Sequence, residues 1–179
     1  MNRRICVGIL FFVLPTAALA DSQWNLQSST LTYQVSHPLH HVEGVSHAAR
    51  GKGQCKAGEC EFLIAAPVKS FDSGDSNRDL HMLQATRGGE HPMVVVRTKC
   101  PESEIHTGTV DADLEVEFAG QTAHYKRVPF QMKVEGNDVR LSGTIPVTLN
   151  DFKIEPPSLL TMPIKNDIPV QVDMTWRKE

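Results

Sequence analysis

An all-β fold, a closed or nearly closed antiparallel barrel of about eight strands with one short helix, is predicted by three features of the chain. Apolar and polar residues alternate with a period of two through most of its second half. Turn residues fall where those alternating runs must reverse. Only one segment carries the 3.6-residue pattern of a helix, so helices cannot supply the layers of the fold.

The first alternating run is Leu31, Tyr33 and Val35. Residues 42 to 54 followed by 60 to 71 form a hairpin around Lys56-Ala57-Gly58-Glu59, and Val94-Val95-Val96 adds a β-branched run. Val110, Ala112, Leu114, Val116 and Phe118 then alternate with acids. Val128, Phe130, Met132 and Val134 follow after Ala119-Gly120-Gln121. A third series, Val139 to Leu149, follows Glu135-Gly136-Asn137-Asp138. Such short connections join antiparallel neighbours. Residues 150 to 167 hold Pro156-Pro157 and Pro163 without periodicity and read as a long crossing loop. The last strand runs Ile168, Val170, Val172, Met174, Trp176, with Pro169 near its start, where a missing N–H is tolerated. The helix is expected to start at Ser76-Asn77, to carry Asp79 in its first turn and to end before Gly88-Gly89. It would plug or lid one barrel end.

The 179 residues carry 18 Lys+Arg against 21 Asp+Glu, a net charge of −3, so no basic face is available for nucleic acid. Residues 1–20 read as a cleaved signal peptide: Asn2-Arg3-Arg4, the apolar run Ile5 to Leu14, and Ala18-Leu19-Ala20 as the cleavage signature. That leaves 21–179 as one exported barrel domain in the periplasm, without stable membrane insertion. Cutting there removes Cys6 and leaves Cys55, Cys60 and Cys100 in an oxidising compartment, hence one disulfide and one thiol. Cys55 and Cys60 flank a four-residue hairpin loop and are the favoured pair, with Cys60 to Cys100 the rival.

His37, His40 and His41 are the weak metal candidates, since imidazole clusters suit zinc or copper. Asp72-Ser73-Gly74-Asp75 resembles half a calcium loop but lacks the remaining ligands. The sequence contains neither a Gly-x-Ser-x-Gly elbow nor His-Glu-x-x-His, and no catalytic residue or cofactor is expected.

The motifs fall in an order that resembles the YceI family of lipocalin-like, polyisoprenoid-binding periplasmic proteins. Trp24, then Ser28 to Ser36 and His37, is similar to its opening strand, and Val42-Glu43-Gly44-Val45 to its second. The stretch from Ser70 to Met82, with Arg78-Asp79 and His81, resembles its most recognisable block. His91-Pro92 stands for its Tyr-Pro, and Asp151-Phe152-Lys153-Ile154 for its Asp-Phe-Gly-Ile. Met82, His91, Lys153 and the run Ala85 to Gly89 depart from the pattern, and the cysteine hairpin is no part of it.

The resemblance implies a barrel with an apolar tunnel that takes up an isoprenoid chain, such as a polyprenyl or quinone tail. Alternation then designates the lining: Phe71, Leu80, Leu83, Val116, Phe118, Phe130, Met132, Leu141, Ile145, Val170 and Val172. Arg78 and Asp79 are head-group candidates, against a structural reading in which Asp79 serves the helix start and Arg78 pairs with Asp72 or Asp75. A carrier or sequestering protein is the leading function. The alternatives are a packed, ligand-free structural or stress-related adaptor and a His-cluster metal-binding protein; a homodimer is compatible with either barrel.

Overall fold

The computed structural model describes residues 21–37, 40–159 and 162–179. Residues 1–20, read above as a signal peptide, lie outside them. The long first strand, β1 (Ser22–His37), organises everything else. One edge pairs with β11 (Val170–Lys178) from Trp24↔Lys178 to Tyr33↔Val170. The other edge is shared, with Ser22–Asn25 opposing β3 (Arg50–Lys56) and Leu31–His37 opposing β2 (His40–Ser46).

From β3 the ladder runs antiparallel through β4 (Glu59–Pro67), β5 (Met93–Pro101), β6 (Gly108–Phe118), β7 (Gln121–Glu135) and β8 (Asp138–Ile145) to β11. The eight-stranded sheet is therefore closed, and β2 is one additional strand that continues the wall above β3. Closure leaves no edge among the eight, so each strand buries one face and wets the other. Ile64 and Ala66 of β4, Leu114 and Val116 of β6, Val139 and Ile145 of β8, and Val172, Met174 and Trp176 of β11 are buried inside. The charges stand outside in cross-strand pairs such as Lys99–Glu61 (2.5 Å) and Arg177–Asp138 (2.7 Å). These pairs are solvent-exposed and serve register more than stability.

Four details differ from the sequence expectation, each for a local reason. The run 42 to 54 is two strands, because Ser46 is buried and its Oγ accepts the Ala48 N–H (3.2 Å), turning the chain at 47–49. The third alternating series stops at Ile145 rather than Leu149, since Pro146 has no N–H to continue the ladder to β11. For the same reason β11 begins at Val170, after Pro169. Finally, the helix α1 (Ser76–Ala85) is capped by Asp75, whose carboxylate accepts from the N–H groups of Asn77 (2.9 Å) and Arg78 (3.0 Å), one residue ahead of the expected Ser76-Asn77 start.

A bulge interrupts β6–β7: Ala112 opposes Val128 and Leu114 opposes Tyr125, so β7 carries one extra residue there. Arg127 takes the left-handed conformation (φ 52°), and Asp113 fixes the bulge by accepting from Arg127 N–H (2.9 Å) and Lys126 Nζ (2.7 Å). The bulge moves the inward phase from Ala123 and Tyr125 to Val128 and Phe130.

The segment after β8 holds a 3-10 turn, Asn150–Phe152, and a minimal hairpin, β9 (Ser158–Leu159) with β10 (Met162–Pro163). It is anchored by Phe152, which is fully buried and stacks edge-on against Phe118 (5.3 Å). Directly after it Lys153 sits at φ 53°, the left-handed region in which a Cβ is disfavoured. Lys153→Gly is therefore expected to stabilise the fold by about 1 kcal/mol. Urea denaturation checks this through a higher midpoint at unchanged slope.

Candidate functional site: a hollow apolar lumen

The barrel is not filled by its own side chains. A cavity of about 850 Å³ runs through it, near the upper end of the roughly 300–1,000 Å³ usual for small-molecule sites. Of the residues designated from alternation, Phe71, Val116, Phe118, Phe130, Met132, Leu141, Ile145, Val170 and Val172 stand on its wall. Leu80 and Leu83 do not. Helix α1 turns Asn77, Arg78, His81, Met82 and Ala85 towards the lumen, which leaves Leu80 53% exposed and folds Leu83 against the Gly88 turn. The apolar stripe of so short a helix did not give its docked face, because the polar rim of the opening, rather than a packed core, is what it meets.

Several wall residues were missed from the sequence: Trp24, Leu31, Tyr33, Phe62, Ile64 and Phe152 also line the lumen. On β1 the reason is a bulge at Leu26/Ser28, which breaks the alternation between Trp24 and Leu31. A Cβ at Gly53 would meet the Phe62 ring at 2.4 Å and one at Gly143 the Phe130 ring at 2.5 Å, so each ring lies over a glycine on the neighbouring strand.

The two ends of the lumen differ. At the upper end the rim is formed by α1 and, from the segment after β8, by Phe152, Ile154, Pro157, Ser158 and Ile164. Two hydrogen bonds of 2.9 Å between the Val45 and Asp72 backbones tie β2 to the chain entering α1. Arg78 does not pair with Asp72 or Asp75. It donates through Nε to Ser73 Oγ (2.9 Å) and through Nη2 to the Ser73 carbonyl (2.7 Å). Asp79 accepts from Ser73 N–H (3.1 Å) and Oγ (2.5 Å). Asp79 is thus spent on the loop, while Arg78 is anchored at the rim. Below them Tyr33 packs on Phe71 (5.7 Å), and burial, then the Asp79 charge, push its phenol above the ordinary range. Tyr125 is raised likewise, by burial and by the Asp151 carboxylate to which it donates (2.8 Å). Both phenols stay protonated donors.

At the lower end Phe62 meets Trp24 (6.0 Å) and Trp176 (5.2 Å) edge-to-face. The 3-10 turn Glu102–Glu104 crosses beneath, held by Glu102 N–H to the Gly58 carbonyl (2.7 Å) and Lys178 Nζ to Glu102 Oε1 (2.8 Å). Cys55 and Cys60 form the disulfide, both buried. Cys100 is free and lines the cavity.

The side chains of His37 and His40 lie outside the described residues, and His41 Nδ1 is 3.4 Å from Ser36 Oγ. Among the described residues no group of three His, Cys, Asp or Glu side chains is placed to hold a metal ion.

Comparison with known families decides the relationship, because the model of the YceI-like domain matches residues 23–176. The chain belongs to the YceI-like domain family. No curated protein matches it in sequence. Among solved structures, this YceI-like barrel is similar to a polyisoprenoid binding domain from Saccharophagus degradans implicated in plant cell wall breakdown, with TM-score 0.67 and 13% identity over 87% of this chain and 98% of that one. It is similar to Burkholderia cenocepacia BcnA, with TM-score 0.68 and 12% identity over 82% and 95%. The Campylobacter jejuni YceI protein aligns over 96% and 91%, with TM-score 0.53 and 12% identity. Identities this low establish a shared fold.

The lower end of the YceI-like lumen gives a direct test. Burial, then the charges of Glu104 and Glu59, push the Cys100 thiol up to about 11. At pH 7 its alkylation should therefore be about 100-fold slower than that of an ordinary thiol, each raised unit removing a factor of ten of thiolate. The rate should climb as the pH approaches 11. The unfolded chain ionises this thiol first, so the same shift lowers fold stability as the pH rises from about 9 towards 11. Timed maleimide labelling with mass detection measures the rate, and the rate of free cysteine at pH 7 would contradict the half-buried position of the thiol.

Proposed function

We propose that the barrel binds a long apolar lipid chain of the isoprenoid class in its lumen, as a non-enzymatic carrier or sequestering protein of the periplasm. The observation that carries this reading is the hollow interior of about 850 Å³ walled by alternating apolar residues. A packed adaptor barrel would have filled that space with its own side chains. The polyisoprenoid binding of the similar Saccharophagus degradans domain supports the ligand class. The amino-terminal signal pattern and the Cys55–Cys60 disulfide support export to an oxidising compartment.

Affinity would come from burial of the chain, at roughly 25 cal/mol per Å² before the costs of ordering ligand and rim. Met82 and Met132 would adapt to a flexible cargo. Arg78, held in place by Ser73, would meet a polar head at the upper rim, and Asp79 would position it through that same serine.

Titration of the full chain with a polyprenol, followed by emission of Trp24 and Trp176, tests the reading. Saturable binding is expected, with the bound chain shielding Cys100 from alkylation. Leu141→Trp puts a larger apolar side chain into the lumen; it should keep the far-UV spectrum and weaken binding about tenfold or more. Phe130→Asp places an unpaired carboxylate on the wall and should abolish binding or folding. Unchanged polyprenol affinity in a folded Leu141→Trp chain would show that the lumen is not the site.

A further inference from the structure

Three cysteines lie in one row across three neighbouring strands. Cys60 of β4 opposes Cys55 of β3 on one side and Cys100 of β5 on the other. The Cys55–Cys60 pair has a Cα spacing of 4.0 Å, the narrow, non-hydrogen-bonded type. A residue presents its backbone N–H and C=O to one neighbour only, so Cys60 turns them towards β5. The flanking pairs of the same parity agree: Glu102 N–H donates to Gly58 O (2.7 Å) and Val68 N–H to Pro92 O (2.9 Å). Cys60 and Cys100 are therefore a wide pair, about 5.5 Å apart at Cα. That is inside the roughly 4.4–6.8 Å that a disulfide spans. Cys55 and Cys100, two strands apart, exceed it.

We propose that Cys55, Cys60 and Cys100 form an intramolecular thiol–disulfide exchange site. The Cys100 thiol gives its proton to solvent, and its sulfur bonds to the Cys60 sulfur. The Cys60–Cys55 bond breaks and the electron pair leaves on the Cys55 sulfur, which takes up a proton. One disulfide and one thiol stand on each side, so no oxidant or reductant is consumed. The product takes the thiol off the lumen wall. It also moves the crosslink from the β3–β4 hairpin to β4–β5, where it closes the longer loop that carries α1, one side of the cavity's rim.

The groups bearing on the attacking thiol are Glu59 at the start of β4 and Glu104 in the turn after β5, both of which oppose its ionisation, as burial does. At neutral pH the Cys55–Cys60 form is consequently held in place, and exchange accelerates as the thiol ionises.

The test is disulfide mapping of the Cys6→Ser chain, held folded at pH 7 and at pH 10, quenched in acid, alkylated and digested. At pH 7 the Cys55–Cys60 peptide and alkylated Cys100 are expected. At pH 10 a Cys60–Cys100 peptide with alkylated Cys55 should grow in, about tenfold faster per pH unit up to the ionisation of the thiol. Cys55–Cys100 should be absent from the folded sample and appear only when the chain is unfolded in urea. Cys100→Ser should abolish the new peptide. A folded sample that keeps Cys55–Cys60 as its sole crosslink at pH 10, or that yields as much Cys55–Cys100 as Cys60–Cys100, would overturn the proposal.

Discussion

The pairing of β1 with β11 is the constraint on which the molecule depends, because it joins the first and last strands and turns a sheet into a barrel. Without it, Ser22–His37 and Val170–Lys178 would present open ladders, and the apolar faces of all eight strands would meet water. With it, alternation acquires a consequence: the period-two pattern that elsewhere gives a half-buried sheet here encloses a lumen. The strand that closes the barrel is also the one whose other edge is divided between β3 and β2, which lets the wall extend upward past the end of β3.

Enclosure alone does not make a cavity. The lumen stays open because its large side chains are spent at the ends and on the wall rather than at the centre. Phe62, Trp24 and Trp176 stack at the lower end, and Phe118 and Phe152 near the upper, while Phe62 and Phe130 lie flat over glycines of adjacent strands. The upper end is built from a helix and a proline-containing segment, the lower from a disulfide and a strapped turn, so the opening and the floor are chemically different. A chain-like ligand with one polar end suits that difference.

Most of the barrel was legible because its signal is repetitive. The series through Val110–Phe118, Val139–Ile145 and Val170–Trp176 needs only the period of a strand to read, and the hairpin loops at Gly120 and Gly136 fix the order of neighbours. What escaped was local and non-periodic. Bulges at Leu26/Ser28 and Ala112/Leu114 shift the inward phase without a compositional mark, and the Ser46 turn splits the run 42 to 54 that reads as one arm of a hairpin. The helix was found but its orientation was not: ten residues carry too weak an apolar stripe to say that Arg78, His81 and Met82 face the opening while Leu80 faces water. The pairing of Cys55 with Cys60 followed from loop length, whereas the place of Cys100 beside Cys60 required the register of β5.

Native mass spectrometry of the chain recovered from its native host, before and after organic extraction, tests the central claim most directly. A lumen that holds an isoprenoid chain predicts a complex of one protein with one lipid, whose extracted component is a polyprenyl or quinone species and which re-forms when that lipid is returned. A protein mass that is free of lipid on isolation and stays free when polyprenol is added would contradict it.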